Sequence, residues 1–126
     1  MAFEEDVLDI TLLAYADLSA YQYHFVKLTS DNTCTVCDGA SDVPVGILQN
    51  KPTAAGQAAR VRIMGVSRIY TGTTAITRGG YVGTDASGHG VMKSANKAIY
   101  LGISTAASAS TETGTVVLMP EHTIYA

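Results

Sequence analysis

At 126 residues, 47% apolar and without tryptophan, the chain has the make-up of one globular domain able to bury roughly two-thirds of its unfolded surface, which excludes disorder. No apolar run approaches the roughly 20 residues of a bilayer-crossing helix, and Glu4, Glu5 and Asp6 stand where a secretory signal would be basic, so neither a membrane partner nor export is expected. The net charge of −3 divides into eight acids against Lys27 over residues 1–50, seven bases against Asp85 over 51–97, and Glu112 and Glu121 after that, a split that suits pairing within the fold or between copies and speaks against nucleic acid.

Residues 1–13 read as an extended N-terminal arm ahead of a single β domain over 14–126. Behind the acidic opening, Leu8, Ile10 and Leu12 alternate with Asp9 and Thr11, which puts the three apolar residues on one strand face. A first strand of the domain's own sheet would carry the same signature. The arm is preferred because it falls outside the internal repeat described below. Asp17-Leu18-Ser19 is a polar break with a single capped turn. Residues 21–29 are aromatic and β-branched, a strand, and Ser30-Asp31-Asn32 turns it back into residues 34–37. Residues 43–49 follow, a short buried run with Gly46 at its middle, where a bulge or a close backbone approach is expected.

After a loop over 50–58 comes the longest strand pattern, 59–70. Ala59, Val61 and Ile63 face one way and Arg60 and Arg62 the other, with a loss of phase at Gly65 of the kind a bulge causes. Past a loop at 71–77, residues 81–84 and 91–93 flank Asp85-Ala86-Ser87-Gly88-His89-Gly90, a hairpin turn. Strands at 98–106 and 115–119 and a tail over 120–126 finish the chain.

Residues 43–47, Val-Pro-Val-Gly-Ile, reappear fifty-six residues later as Ile99-Tyr100-Leu101-Gly102-Ile103. In the same register Phe25-Val26 falls on Tyr81-Val82, and after a one-residue slip Val61-Arg62-Ile63-Met64 falls on Val116-Val117-Leu118-Met119. Residues 18–67 and 76–122 are therefore read as two copies of one β unit. With no sustained helical periodicity, the expected fold is all-β: a small barrel or sandwich with its two copies related by a pseudo-twofold.

The search for chemistry returns none. No nucleophile motif, phosphate-cradling loop or H-E-x-x-H pattern occurs, and no cofactor site is expected. Cys34 and Cys37 form a lone C-x-x-C without further ligands and read as two inert thiols; His24, His89 and His122 show no paired ligand spacing, so no metal site is expected either. Arg60, Arg62 and Arg68 on one strand could hold carboxylates or phosphates, but a solvated or interface-facing sheet surface is the plainer reading.

Taken together, the acidic N-terminus, Asp17-Leu18-Ser19, Gln22-Tyr23-His24-Phe25-Val26-Lys27, the run from Asp42-Val43-Pro44-Val45-Gly46-Ile47-Leu48 through Gln49-Asn50-Lys51-Pro52, Ala59-Arg60-Val61-Arg62 and Gly80-Tyr81-Val82-Gly83-Thr84-Asp85 resemble the small capsid decoration, or cement, proteins of tailed bacteriophages and prophages. The resemblance covers nearly the whole chain and is weakest over 1–8 and 104–126. Tyr15 and the cysteine pair are not part of it. It implies a non-enzymatic protein that sits on the outside of an expanded head, often as a homotrimer, bridges neighbouring major capsid subunits and steadies the shell against packaged DNA. The residues assigned to capsid or partner contact are Phe3, Val7, Leu8, Ile10 and Leu12 of the arm and Arg60 and Arg62 of the long strand. A strand-like arm could add to an exposed sheet edge. Two competing readings are a particle-surface module that binds a glycan or host receptor through loops 50–58 and 104–114, and an enzyme with a site around His24, His89 and Arg62.

Overall fold

The structure, a computed structural model, describes residues 6–124, which form nine strands and no helix: β1 Leu8–Ala14, β2 Phe25–Ser30, β3 Thr33–Val36, β4 Gly46–Leu48, β5 Ala58–Tyr70, β6 Tyr81–Thr84, β7 Gly90–Met92, β8 Ile99–Ser104 and β9 Thr113–Thr123. The fold is all-β and is organised as two halves that share β5, the first of them a closed five-stranded barrel. The start of β5 belongs to that barrel and its end to the second sheet.

The first barrel runs β1-β3-β2-β4-β5 and closes because β1 also pairs with β5, antiparallel from Leu8↔Met64 to Leu13↔Ala58. Its lumen is filled by Leu12, Ala14, Leu18, Val26, Cys34, Leu48, Ala59 and Val61. The many small side chains match the narrow interior of a five-stranded barrel. Closure leaves this barrel with no open sheet edge to mispair.

The second half runs β5-β9-β8-β6-β7, and a single parallel bridge, Thr71↔Gly90, draws β7 back to the end of β5. Ile69, Ile76, Val82, Leu101, Val116 and Leu118 form its core. Phe25, Cys37 and Ile47 join them from the first half. On β2 and β4 these residues alternate with Val26 and Leu48, so the two strands send one face into each core.

The pairing registers repeat across the halves. Val26↔Gly46 and Phe25↔Ile47 in the first answer to Val82↔Gly102 and Tyr81↔Ile103 in the second. Leu48↔Val61 answers to Ser104↔Val116. The echo also reaches an element the sequence placed outside the repeat. β1 lies antiparallel on β5 and parallel to β3 through Ala14↔Cys34, just as the second half of β5 lies antiparallel on β9 and meets β7 through Thr71↔Gly90.

One expectation changes accordingly. Residues 8–13 are not an arm but a stave of the first barrel, held by six register pairs to β5; Leu12 is spent in the lumen and Ile10 packs against that core. The bulge expected near Gly65 is present on β5: adjacent Leu8 and Asp9 pair with Met64 and Arg62, which leaves Ile63 as the extra residue. Clear alternation of burial holds at Ala59 and Val61 before it and at Ser67 and Ile69 after it, and blurs between them. Gly65, at φ 95°, marks the place where β5 passes from the first half to the second, and a side chain there would meet the backbone of Asp6 and Val7.

Candidate functional site

The structure gathers the residues singled out in the sequence into three surface features. The first is a charged stripe. Asp9 points outward from β1 opposite Arg62 of β5, its register partner. Arg62 donates to both carboxylate oxygens, Nε to Oδ1 at 2.7 Å and Nη2 to Oδ2 at 3.2 Å, while its Nη1 donates to the Val66 carbonyl at 2.9 Å. Arg60 flanks the same carboxylate at 3.4 Å. The bidentate hydrogen bond from Arg62 holds the Asp9 carboxyl below its ordinary range against the opposing effect of burial. The acid-rich front and base-rich middle of the chain therefore meet within one molecule. Arg60, Arg62 and Arg68 line one shallow cleft with Tyr23, Gln49 and Ser67. Arg62 is committed to Asp9, and Arg68 lies over the Tyr23 ring at 5.7 Å.

The second feature is an apolar groove of about 460 Å³ lined by Ile10, Leu28, Val43, Pro44, Val45, Ile63, Met64, Leu101 and Met119. Ile10, Val45 and Ile63 top the core of the first barrel, so the groove is the mouth of that barrel, with β8 and β9 of the second half supplying Leu101 and Met119. At its rim Leu28, Val43 and Met64 are 55%, 51% and 44% exposed. Leu8, the register partner of Met64, is also exposed, as is Val7. Of the residues assigned to contacts, then, Val7, Leu8 and Arg60 are open to solvent, Ile10 lines the groove, Arg62 is paired and Leu12 is buried. Phe3 lies outside the described residues. Leu28, Val43 and Met119 were not anticipated. Leu28 keeps the inward phase of Val26 and reads as core in a strand pattern; its exposure comes from the end of the barrel, which alternation does not mark.

The third feature is aromatic. His24 and His89 come together from the two halves, ring centres 4.9 Å apart, beside Tyr70 and Tyr21. Their pocket, about 480 Å³, is completed by Ser19, Ala20, Gln22 and Lys51. Cys34 and Cys37 are free and buried in different cores; burial pushes the Cys37 thiol up to about 12, so neither is a ready nucleophile.

Among solved structures, the chain is similar to the head fiber gp8.5 N base of bacteriophage phi29, with a TM-score of 0.63 and 14% identity over 90% of this chain and 95% of that one. Identity this low speaks to the fold alone. No curated protein sequence matches significantly. A family model described as phage cement protein matches residues 3–120.

Proposed function

Because the chain belongs to the phage cement protein family and is therefore associated with the capsid of a virion, we propose that it decorates the outer surface of the expanded head. There it bridges neighbouring major capsid subunits, as a homotrimer, and stabilises the shell against internal DNA pressure. The role is structural rather than catalytic. The observation that carries this reading is the apolar groove, whose rim residues Leu28, Val43 and Met64 stay exposed on a domain otherwise closed on itself. Exposed apolar surface gathered in one place marks a contact site. Val7 and Leu8 lie on the chain that leads to this rim, and residues 1–7 with Phe3 would complete the contact with the shell.

The mechanism is linkage. A protein that binds only the assembled shell lowers the free energy of that state and leaves the open one untouched. Copies joined as a trimer gain further, because each contact after the first forms at an effective concentration on the order of mM. The closed barrel suits the task, since a closed hydrogen-bonded sheet transmits load with little to rearrange.

The test is stoichiometric. Particles are banded on a density gradient and the chain is quantified against the main shell protein by mass spectrometry. Hundreds of copies in a fixed ratio to the shell subunit are expected. A handful per particle would point to a receptor-binding spike, and absence from particles would sink the structural role.

A further inference from the structure

We propose that His24 and His89 form a two-histidine binding site for a borderline transition-metal ion such as Zn2+ or Ni2+, which on binding staples the two halves of the molecule together. His24 lies just ahead of β2 in the first half, and His89 lies in the β6–β7 turn of the second. That turn is docked on the first half already: Phe25 donates its backbone N–H to the Gly88 carbonyl at 2.8 Å. A Cβ on Gly88 would fall 2.6 Å from Val36.

His24 Nδ1 lies 3.1 Å from the Gln22 carbonyl, within hydrogen-bond reach, and His89 Nδ1 lies 3.3 Å from Asp85 Oδ2, an ion-pair distance. A carbonyl only accepts, so the hydrogen bond to Gln22 places the His24 proton on Nδ1 and leaves Nε2 to bind, and the Asp85 carboxylate beside His89 Nδ1 favours the same tautomer there. This is the outer-shell arrangement that fixes tautomer and orientation around bound metals. Asp85 is itself fixed, its Oδ1 accepting from the backbone of Ser87 at 2.8 Å and of His89 at 2.9 Å. The His24 ring is locked by Tyr70, stacked at 5.5 Å and 7°, and by the edge of Tyr21.

Distance fits as well. Two imidazoles on a tetrahedral ion with metal–nitrogen bonds of about 2.0 Å have ring centres about 5 Å apart, against 4.9 Å here. The pair opens on a polar pocket with room for the water that would complete the coordination shell. No three His, Cys, Asp or Glu side chains converge among the described residues, so the protein supplies two donors and the affinity is modest. Lys51 at the pocket rim is the one adverse charge among the lining residues. The buried thiols do not compete while the protein is folded.

Tag-free protein titrated with ZnCl2, and separately NiCl2, at pH 7.5 tests the site by melting temperature and by imidazole resonances in NMR. A saturable rise in Tm is expected, because the ion binds the folded state. His24→Gln and His89→Gln should each abolish it, and lowering the pH to 5.5 should weaken binding at least ~10-fold through proton competition. Asp85→Asn keeps both imidazoles and one acceptor oxygen and should weaken binding ~10–100-fold; it serves also if a histidine variant fails to fold. No rise in the parent protein, an undiminished rise in folded histidine variants, or full affinity in Asp85→Asn would each overturn the site. Capsid attachment is a separate readout, so either proposal can fail without the other.

Discussion

Asp9 and Arg62 stand 53 residues apart in sequence and form a two-point clamp on the outside of the first barrel. Both side chains are less than one-fifth exposed, so the pair is worth more than a surface ion pair and less than a fully buried one. Asp9→Asn keeps the shape but removes the charge, and should cost about 1–2 kcal/mol in urea unfolding at pH 7. The sign with pH follows from the lowered carboxyl. Its stabilisation is fully present above the ordinary value of 3.8 and is lost as pH falls from there through the folded-state pKa. Parent and Asp9→Asn should therefore converge in strong acid; a constant gap would mean that shape rather than charge matters. His24 titrates in a gentler range. Burial lowers its pKa below 6.5, so the unfolded chain takes up the proton first and stability declines as pH drops from 6.5 toward the folded-state value. His24→Gln should flatten that slope in metal-free buffer. The outward phase of Arg60 and Arg62 was legible from alternation. Their partner was not, because one-dimensional spacing is blind to which strand closes a barrel.

Among the strands, β4 and β8 show why a glycine recurs. A Cβ on Gly46 would collide with the Arg62 carbonyl and lie 2.8 Å from Val61, and one on Gly102 would lie 2.7 Å from the Val117 carbonyl. Each glycine lets its strand press against the next at the tightest part of its half. Gly46→Ala and Gly102→Ala should each cost about 1–3 kcal/mol or more by forced displacement of backbone, read as a lower urea midpoint with an unchanged slope. The close approach at Gly46 was legible in the sequence because glycine inside a β-branched run has few other reasons to be there. The role of β1 was not. Apolar alternation at Leu8, Ile10 and Leu12 is common to an arm and a stave, and the choice between them turns on where the other edge lies. β1 supplies the pairings that close the first barrel, so deletion of residues 2–13 should leave a chain without cooperative unfolding, whereas deletion of residues 2–5 should leave a folded one. A cooperative transition in the longer deletion would return β1 to the status of an arm.

At the scale of the whole molecule, the two halves repeat each other in order and register, and what they do not share is informative. Ala14, Cys34 and Ala59 in the first lumen stand where Thr71, Gly90 and Gly114 stand in the second; the larger Phe25 and Ile47 cross from the first half to fill the space that results. The runs aligned in sequence, Phe25-Val26 with Tyr81-Val82 and Gly46-Ile47 with Gly102-Ile103, occupy corresponding register positions in the two halves. The groove was invisible because it belongs to no single strand. Met64 and Met119, one from each copy, meet at the barrel mouth with Leu28 and Val43, a gathering that only the closed topology produces. If this mouth seats the chain on the shell, a charge placed on its exposed rim must disrupt attachment without disturbing the fold. Leu28→Asp and Met64→Asp both alter side chains that are about half exposed, so each should cost little stability, within about 1 kcal/mol. Desolvating a carboxylate against an apolar partner is far more costly, and occupancy on purified heads should fall at least ~10-fold in a pull-down at matched protein concentration. Arg68→Gln, further along β5 and lining the arginine cleft rather than the groove, should leave occupancy as it was. Equal loss in all three would place the contact across the charged stripe as well; loss in Arg68→Gln alone would move the docking face from the apolar mouth to the arginine cleft.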